Sequence, residues 1–558
     1  GRDDVKPMPK VYAILESNDI VKNHLELFGQ SMDTKQRETA KEQMEYLIDT
    51  FNDGREYGSI LNVEECDWEL LQEFVEDLNM EGQCNSATDV QGQIAFDSYK
   101  SDVTQEKLRM LVKVAKNLGQ KYDAVVTNPP YMGIRGMDAK LNTYVSKIYP
   151  NTKSDLFSVF IDVAYHMTRI QGIYSMITQP SLLSLATFSD LRTQILLENT
   201  ILSMLHMGRG VFGVDFGSVS FAVRNDNVFD YCGEYFRLHE RTFQYIEIDD
   251  IKNIFLKAKE KHTYKQDFSL FGDLGEYETE SVNQQIGESI IYYKVQQNRF
   301  SAIPGKPFAY WMSNEIIDLF GKKCINDYAT VTNGLFTCNN NRFLRLWHEV
   351  EFNNVFLKCK TFEESINDDR TWYPYNKGGN YRKWYGNQEY VVNFKHFGEE
   401  ISNYRIKSGQ SASFPGQSYY FKESLSWSFI SAGKFGIRYY PYGFVFDIAG
   451  SSVFPNSETS LFPLLAVLGS EITSHILQIL NPTMNYQVGN VRCLPIAQPV
   501  LADEILKQLA IENVELSKKE WDSFENSWEF VRHPLMNKTK ISDAYDYWNK
   551  ICIDRFNQ

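Results

Sequence analysis

The sequence predicts an α/β chain: a Rossmann-like domain, present in part and carrying a helical insertion, followed by an α+β domain. Three observations predict this. Between Tyr122 and Val223, short apolar β-type runs alternate with stretches of helical period, the pattern of a doubly wound sheet. One of those runs, Ala124 to Thr127, halts at Asn128-Pro129-Pro130-Tyr131, a loop of the kind that open α/β sheets place at the carboxyl ends of strands. After about residue 300 the texture changes to short β-type runs punctuated by Gly, Asn and Pro.

In chain order, residues 1–20 read as the start of the sheet, with Val11 to Leu15 as a short buried strand ending at Glu16-Ser17-Asn18-Asp19. Residues 21–120 read as a helical insertion, with helix-type spacing and charged faces over Thr34 to Phe51, Trp68 to Leu78 and Gln105 to Leu118. Residues 121–226 form the core of the first domain. There the run Ala124 to Thr127 is predicted to be a buried strand. Leu156, Val159, Phe160, Val163, Ala164 and Met167 fall on one helical face, capped by Ser154 or Asp155. Ile173 to Thr178 is predicted as a strand, Thr187 to Glu198 as a helix, and Ile201 to His206 as a strand. Ser218 to Val223 is predicted to close the sheet. Residues 227–300 read as a connector with basic positions from Lys252 to Lys265. Residues 301–558 make the second domain. Its turns fall at Val331-Thr-Asn-Gly, Lys377-Gly-Gly, Phe414-Pro-Gly and Tyr439-Tyr-Pro-Tyr-Gly, and helical period returns over Leu461 to Leu480.

The Asn-Pro-Pro-Tyr loop has the parts for one chemistry. Each proline fixes φ and lacks an N–H, and each pushes the preceding residue into an extended conformation, so the loop is stiff. An exocyclic amine on a nucleobase is a poor nucleophile because its lone pair is delocalised into the ring. The Asn128 side-chain oxygen and the Pro129 carbonyl could grip its two N–H bonds and favour a pyramidal nitrogen. Tyr131 could stack on a base taken out of the helix. A strand followed by a proline-rich turn is the plain alternative.

Tyr122 to Gly133 resembles the catalytic motif of the amino-group, S-adenosylmethionine-dependent DNA methyltransferases, in the form typical of the N6-adenine type. Ser154-Asp-Leu-Phe-Ser-Val-Phe and Gly172-Ile-Tyr-Ser-Met-Ile-Thr look like the helix and strand that follow it in that family. Thr371 to Asn387 and Leu480 to Asn490 resemble the adenine methyltransferases of the BREX phage-defence system. The resemblance implies a site-specific enzyme that transfers methyl from S-adenosylmethionine to adenine N6 in double-stranded DNA. Asn128, Pro129, Pro130 and Tyr131 would be its catalytic residues. Other phage-defence proteins would be further partners. It implies that Phe212 and Phe216, before the last sheet strand, stand where a second aromatic meets the flipped base, and that the second domain recognises the target.

In that second domain, Asn340, Arg342, Lys377, Tyr381, Arg382 and Lys383 combine bidentate donors with aromatics. Asn pairs well with adenine and Arg with guanine, and Lys and Arg also serve phosphates. These side chains are expected on one cleft-facing surface. Solvated loops are the alternative for each cluster.

The family's glycine-rich cofactor turn normally precedes the catalytic motif. Upstream of Asn128, Gly54, Gly58 and Gly82 stand alone, with no Gly-x-Gly. In the resembled order Val11 to Asp19 takes the place of the third strand. The first two strands, with the main grip on S-adenosylmethionine, are therefore expected outside these 558 residues, and the fragment alone is expected to be inactive. Ser17, Asn18 and Asp19 are the remaining candidates for contact with the cofactor adenine. Two other readings stay open: a DNA-recognition subunit with a residual methyltransferase shell, and a methyltransferase acting on a glutamine amide of a protein.

Composition bounds the rest. The net charge of −15 counts against DNA binding by the whole surface, although local patches set the field at a groove. Eight scattered cysteines without Cys-x-x-Cys pairs show no zinc pattern and fit a reducing, cytoplasmic setting. No apolar run reaches about eighteen residues, so no membrane partner is expected. Aromatics reach 14%, many of them after residue 300, which fits a recognition surface or an aromatic core.

Overall fold

The computed structural model describes residues 9–78, 90–212, 217–240, 244–272, 287–431, 435–481, 485–537 and 540–557. It divides into two compact units, residues 1–301 and 302–558.

The first unit opens with a helical block: α1 (Thr34–Thr50), α2 (Trp68–Glu76) and α3 (Val90–Gly119). Aspartates start the first two helices. Asp33 accepts the Lys35 N–H and Asp67 the Leu70 N–H, each satisfying an orphan amide of a first turn. The apolar faces meet around Leu47, Phe51, Leu71, Phe74, Leu111 and Ala115, all buried. Val11 to Leu15 is not a strand. Val11 is 90% exposed, and Tyr12 and Ile14 pack against this helical core. An apolar run of five residues fits a helix face as readily as a sheet, and here the helices are the neighbours.

A six-stranded sheet follows, made of β1 (Tyr122–Thr127), β2 (Thr168–Thr178), β3 (Thr200–Gly208), β4 (Ser218–Arg224), β5 (Cys232–Arg237) and β6 (Tyr292–Gln296), in the order β1-β2-β4-β3-β5-β6. β1 and β2 are parallel, with Val125 opposite Tyr174. β4 runs antiparallel to both β2 and β3, and β3 is parallel to β5. The intervening helices are α4 (Ala139–Ile148), α5 (Leu156–Met167), α6 (Ser189–Glu198) and α7 (Ile248–Glu260).

Three expectations change here. β4 does not close the sheet; it threads between β2 and β3. Residues 227–300 are more than a connector, because β5 and β6 extend the sheet. β1 is not buried: it is an edge strand with Val126 77% exposed, since its only partner among the described residues is β2. The predicted strand at Ile173 to Thr178 is longer, from Thr168, because Gly172 and Gln171 let the chain bend within it. Gln171 takes φ 67°, and a Cβ on Gly172 would meet the Asp123 carbonyl at 2.9 Å.

The second unit holds two four-stranded sheets built from β7 (Ala329–Thr332), β8 (Leu344–Leu346), β9 (Trp372–Asn376), β10 (Tyr390–Asn393), β11 (Ser424–Trp427), β12 (Ile437–Tyr440), β13 (Val445–Phe446) and β14 (Ser452–Pro455). Their orders are β8-β10-β9-β13 and β12-β11-β14-β7. Its helices include α8 (Lys395–Lys407), α9 (Leu461–Leu468), α10 (Glu471–Leu480), α11 (Glu504–Trp521) and α12 (Ile541–Asn557). The helical period over Leu461 to Leu480 is two helices, because Ser470 accepts the Thr473 N–H and starts α10 afresh. Many of the aromatics are core: Tyr373, Tyr375, Trp427 and Tyr440 are fully buried. No single helix among the described residues is long and apolar enough to cross a membrane.

Candidate functional site

β1 delivers its chain directly into Asn128-Pro129-Pro130-Tyr131. Asn128 is exposed, Pro129 is buried, and Tyr131 is half-buried. The loop is pinned to the start of α5 by a short ladder. Ile134 N–H donates to the Ser154 carbonyl at 3.0 Å, and Leu156 N–H donates to the Met132 carbonyl at 3.0 Å. Between them, Asp155 Oδ1 accepts from the Met132 N–H at 3.1 Å and from the Phe157 N–H at 3.3 Å. Asp155 is thus the cap of α5 and the stitch that closes the loop. Burial raises its carboxyl pKa, against the pull of three backbone hydrogen bonds. A folded-state pKa raised in this way gives stability that is present at acid pH and declines as pH rises above the ordinary value of 3.8.

The Tyr131 ring meets Phe157 edge-on at 6.3 Å, and Phe157 meets Phe188 at 5.0 Å. This aromatic column sets the ring under the loop. The Tyr131 hydroxyl is covered and has no hydrogen-bond partner among the described residues. Burial, then the nearby Asp155 charge, raises its phenol pKa. An orphaned buried hydroxyl costs about 1–3 kcal/mol of desolvation, so Tyr131→Phe is expected to leave the unfolding free energy unchanged or raise it by up to that amount. Denaturant unfolding of the purified chain measures this. A loss of stability would reveal a contact the hydroxyl makes.

Because β1, β2 and β3 share one direction, their carboxyl ends share one edge of the sheet. That edge carries Asn128 to Tyr131, then Gln179-Pro180, then the turn from Gly208 to Phe212. Gly208 and Gly210 take φ 69° and 107°, and a Cβ on Gly210 would lie 2.0 Å from the Ile246 carbonyl. The turn can follow that path only with glycine. Phe212 is 48% exposed and belongs to this same edge, whereas Phe216 lies outside the described residues. Sequence reasoning assigned no role to Gln179-Pro180. The signal available was a second strand ending in a proline, as β1 does.

Ser17, Asn18 and Asp19 sit in the helical block and serve its internal order. Ser17 is buried, its hydroxyl donating to the Ile48 carbonyl at 2.5 Å. Asn18 and Asp53 exchange two hydrogen bonds, at 3.0 and 2.7 Å. Asp19 pairs with Lys107. One connection leads toward the motif: Asp53 also pairs with Lys140 on α4 at 3.0 Å. Tyr57 stacks on Tyr144 of α4 at 4.2 Å, and the Tyr149 hydroxyl donates to the Ile60 carbonyl at 2.7 Å. The helical block therefore buttresses the helix that follows the Asn-Pro-Pro-Tyr loop.

In the second unit the nominated residues are held by different elements. Asn340 and Arg342 are exposed, and Arg342 pairs with Glu400 on α8 at 2.7 Å. Lys377 pairs with the buried Asp447 at 2.6 Å. Arg382 pairs with Glu520 at 2.6 Å and lies over the Trp521 ring at 4.9 Å. Lys383 donates to the Gly469 carbonyl at 2.9 Å. Tyr381 is 48% exposed. The two clusters are thus braced separately, one by α8 and the other by α9 to α11 and by Asp447.

Residues 17–212, which take in the first strands of the sheet and the Asn-Pro-Pro-Tyr loop, match the model of the Eco57I restriction-modification methylase family. The resemblance then becomes particular. The chain is 34% identical over 530 residues to the adenine-specific methyltransferase PglX of Lacticaseibacillus casei (strain Zhang), an alignment covering 92% of this chain and 40% of that protein. It is 30% identical over 507 residues to the adenine-specific methyltransferase BrxX of Escherichia coli O9:H4 (strain HS), covering 89% of this chain and 36% of that protein. The chain therefore spans about two fifths of the length of these relatives. Among solved structures, the type IIL restriction-modification enzyme MmeI in complex with DNA aligns with a TM-score of 0.43 at 10% identity, over 78% of this chain and 54% of that one.

Proposed function

We propose that this chain supplies the catalytic loop and the target-reading unit of a site-specific DNA methyltransferase. That enzyme would move methyl from S-adenosylmethionine to adenine N6 in double-stranded DNA, in the cytoplasm, as part of a BREX-type phage defence. The observation that carries the reading is the loop itself. Asn128 to Tyr131 stands at the carboxyl edge of the sheet, closed by Asp155, with the Tyr131 ring fixed by Phe157. The similarity to PglX and BrxX over most of the chain supports it.

The bound cofactor would supply an electrophilic methyl carbon on sulfonium sulfur. This chain's residues act on the other reactant. The Asn128 side-chain oxygen and the Pro129 carbonyl accept from the adenine amine and direct its lone pair. Tyr131 receives the extruded base, with Phe212, after β3 on the same edge of the sheet, as the opposing aromatic. In this reading the turn at Ser17 to Asp19 borders the cofactor, and the Asp53–Lys140 pair ties that turn to the helix behind the motif.

The open edge of β1 adds a requirement. Its backbone N–H and C=O groups on that side lack strand partners among the described residues, and Val126 is 77% exposed. Exposed, apolar strand edges recruit a further strand. We assign this edge to the strands that carry the main cofactor grip. The chain by itself is then expected to bind S-adenosylmethionine weakly. Calorimetric titration tests this: a dissociation constant near 1 µM, about −8 kcal/mol, would mean that a complete site is already present.

In the second unit, Asn340, Arg342 and Tyr381 are proposed to face DNA. The Arg342–Glu400 pair is about half exposed on both sides, so exchanging its carboxylate for a phosphate costs little. Lys377, Arg382 and Lys383 frame the loop that presents Tyr381. The test of the function as a whole is methylome sequencing of cells that carry the intact gene or an Asn128 variant.

A further inference from the structure

The second unit contains a cavity of about 380 Å³ that neither the methyl-transfer reading nor the nominated DNA contacts use. That is within the range of small-molecule sites, roughly 300–1,000 Å³. Its floor is aromatic: Tyr420 and Phe421 are buried and Phe397 is half-buried. Phe362 stands over Phe397 edge-on, with ring centroids 4.4 Å apart, and is itself 48% exposed. Lys360 and Lys422 stand at the rim.

Two features mark this cavity as more than a packing fault. First, the backbone is held in an unfavourable conformation where the aromatics are presented. His396, Phe397 and Gly398 run through three successive left-handed residues, φ 51°, 57° and 74°, and Phe421 takes φ 69°. Bulky residues rarely adopt such angles, and they concentrate at ligand clamps. Phe421 is kept there by two backbone hydrogen bonds: its N–H donates to the Phe444 carbonyl at 2.8 Å, and its own carbonyl accepts from Gly443 N–H at 3.0 Å.

Second, both rim lysines are exposed, and neither joins an ion pair among the described residues. Glu364 and Glu423, close to them in sequence, each accept a hydrogen bond from another group. Glu364 accepts the Lys360 backbone N–H at 2.7 Å, and Glu423 accepts the Tyr439 hydroxyl. The Lys360 and Lys422 ammonium groups rest instead near the Tyr442 and Tyr419 rings, at 5.7 and 5.1 Å. Gln417 completes the rim. Its side-chain oxygen takes the Phe414 N–H at 3.2 Å, which leaves its amide N–H₂ as a donor.

We infer that this cavity binds a single nucleotide, with the base against Phe362, Phe397 and Tyr420 and the phosphate between Lys360 and Lys422. A planar ring matches the aromatic floor, an anion matches the two cations, and the Gln417 amide can read a base-edge acceptor. Stacking on aromatic side chains is the usual sequence-tolerant way to hold a base. The nucleotide can be free or can belong to a DNA strand, and the chemistry of the cavity is the same for both.

The test is calorimetric titration of the whole 558-residue chain with dAMP, adenosine and a six-nucleotide oligo(dA). Saturable binding of dAMP or of the oligonucleotide is expected, with adenosine about tenfold or more weaker because it lacks the phosphate. The double variant Lys360→Glu with Lys422→Glu should weaken phosphate-bearing ligands about tenfold or more and spare adenosine. Phe362→Ala should weaken all three. All three positions are exposed, and an unchanged melting curve confirms that each variant folds. Equal affinity for dAMP and oligonucleotide identifies a free nucleotide, and a preference for the oligonucleotide identifies a DNA strand. The inference is overturned if no ligand gives saturable heat, or if binding persists unchanged in both variants. Methylation is not the readout, so failure here leaves the reading of Asn128 intact.

Discussion

Asn128→Ala is expected to abolish modified adenine at one short DNA motif in cells that carry the otherwise intact gene. The physical reason is local. The reacting amine has two N–H bonds and a delocalised lone pair, and the variant removes one of the two acceptors proposed to orient it. Loss of one positioned polar group at a reacting centre typically costs about 10²–10³ in rate. The side chain is exposed at the end of β1 and carries no fold-sustaining contact in the ladder described above, so stability should hold. Asn128→Asp is a useful companion, since it keeps an acceptor and adds a charge. Unchanged methylation in the alanine variant would end the catalytic reading and leave a DNA-recognition subunit as the better one.

Asp447→Ala is expected to have the largest effect on stability in the second unit. Asp447 is buried, and it binds Lys377 at 2.6 Å, the Tyr375 hydroxyl at 2.7 Å and the Ala449 N–H at 2.7 Å. Removing one partner of a buried ion pair leaves the other uncompensated and typically costs about 3–5 kcal/mol. The cost should also reach the loop after β9, because Asn376 and Lys377 both bond across this junction and Gly378 packs closely against it. The Asn376 side chain donates to the Gly450 carbonyl at 3.0 Å, and a Cβ on Gly378 would lie 2.4 Å from the Ala449 carbonyl. Denaturant unfolding followed by tryptophan fluorescence measures the loss. Pairing the change with Lys377→Met should recover much of it, since the stranded ammonium is then gone. A cost below about 1 kcal/mol would show that solvent reaches the pair and that it behaves as a surface one.

The first prediction rests on a residue picked out in the sequence and the second on the partner of one, and they show where such picking works. Asn128 and Tyr131 were legible because proline acts on its own residue and the one before it, whatever lies around them. The helix from Leu156 was legible because its apolar residues repeat at helical spacing. Its cap was narrowed only to Ser154 or Asp155, since either can accept a first-turn amide. Lys377 was legible as a basic residue in a glycine turn, but its partner is 70 positions away. Val11 to Leu15 looked like a strand because a short apolar run does not say which surface will cover it.

By itself the sequence determined the stiff Asn-Pro-Pro-Tyr loop, the alternation of strands and helices around it, and the change of texture near residue 300. These are properties of neighbours in the chain, fixed by φ restriction and by hydrophobic period. Tertiary structure alone decided the rest. It threaded β4 between β2 and β3, recruited β5 and β6 from a supposed connector, and left β1 at the open edge. It joined Asp155 to Met132, set Phe157 against Tyr131, and engaged Lys377 with Asp447. It also pressed Phe397 and Phe421 into left-handed backbone around one cavity. Each of these depends on which distant surface reaches a residue first and buries it, and local propensity carries no record of that.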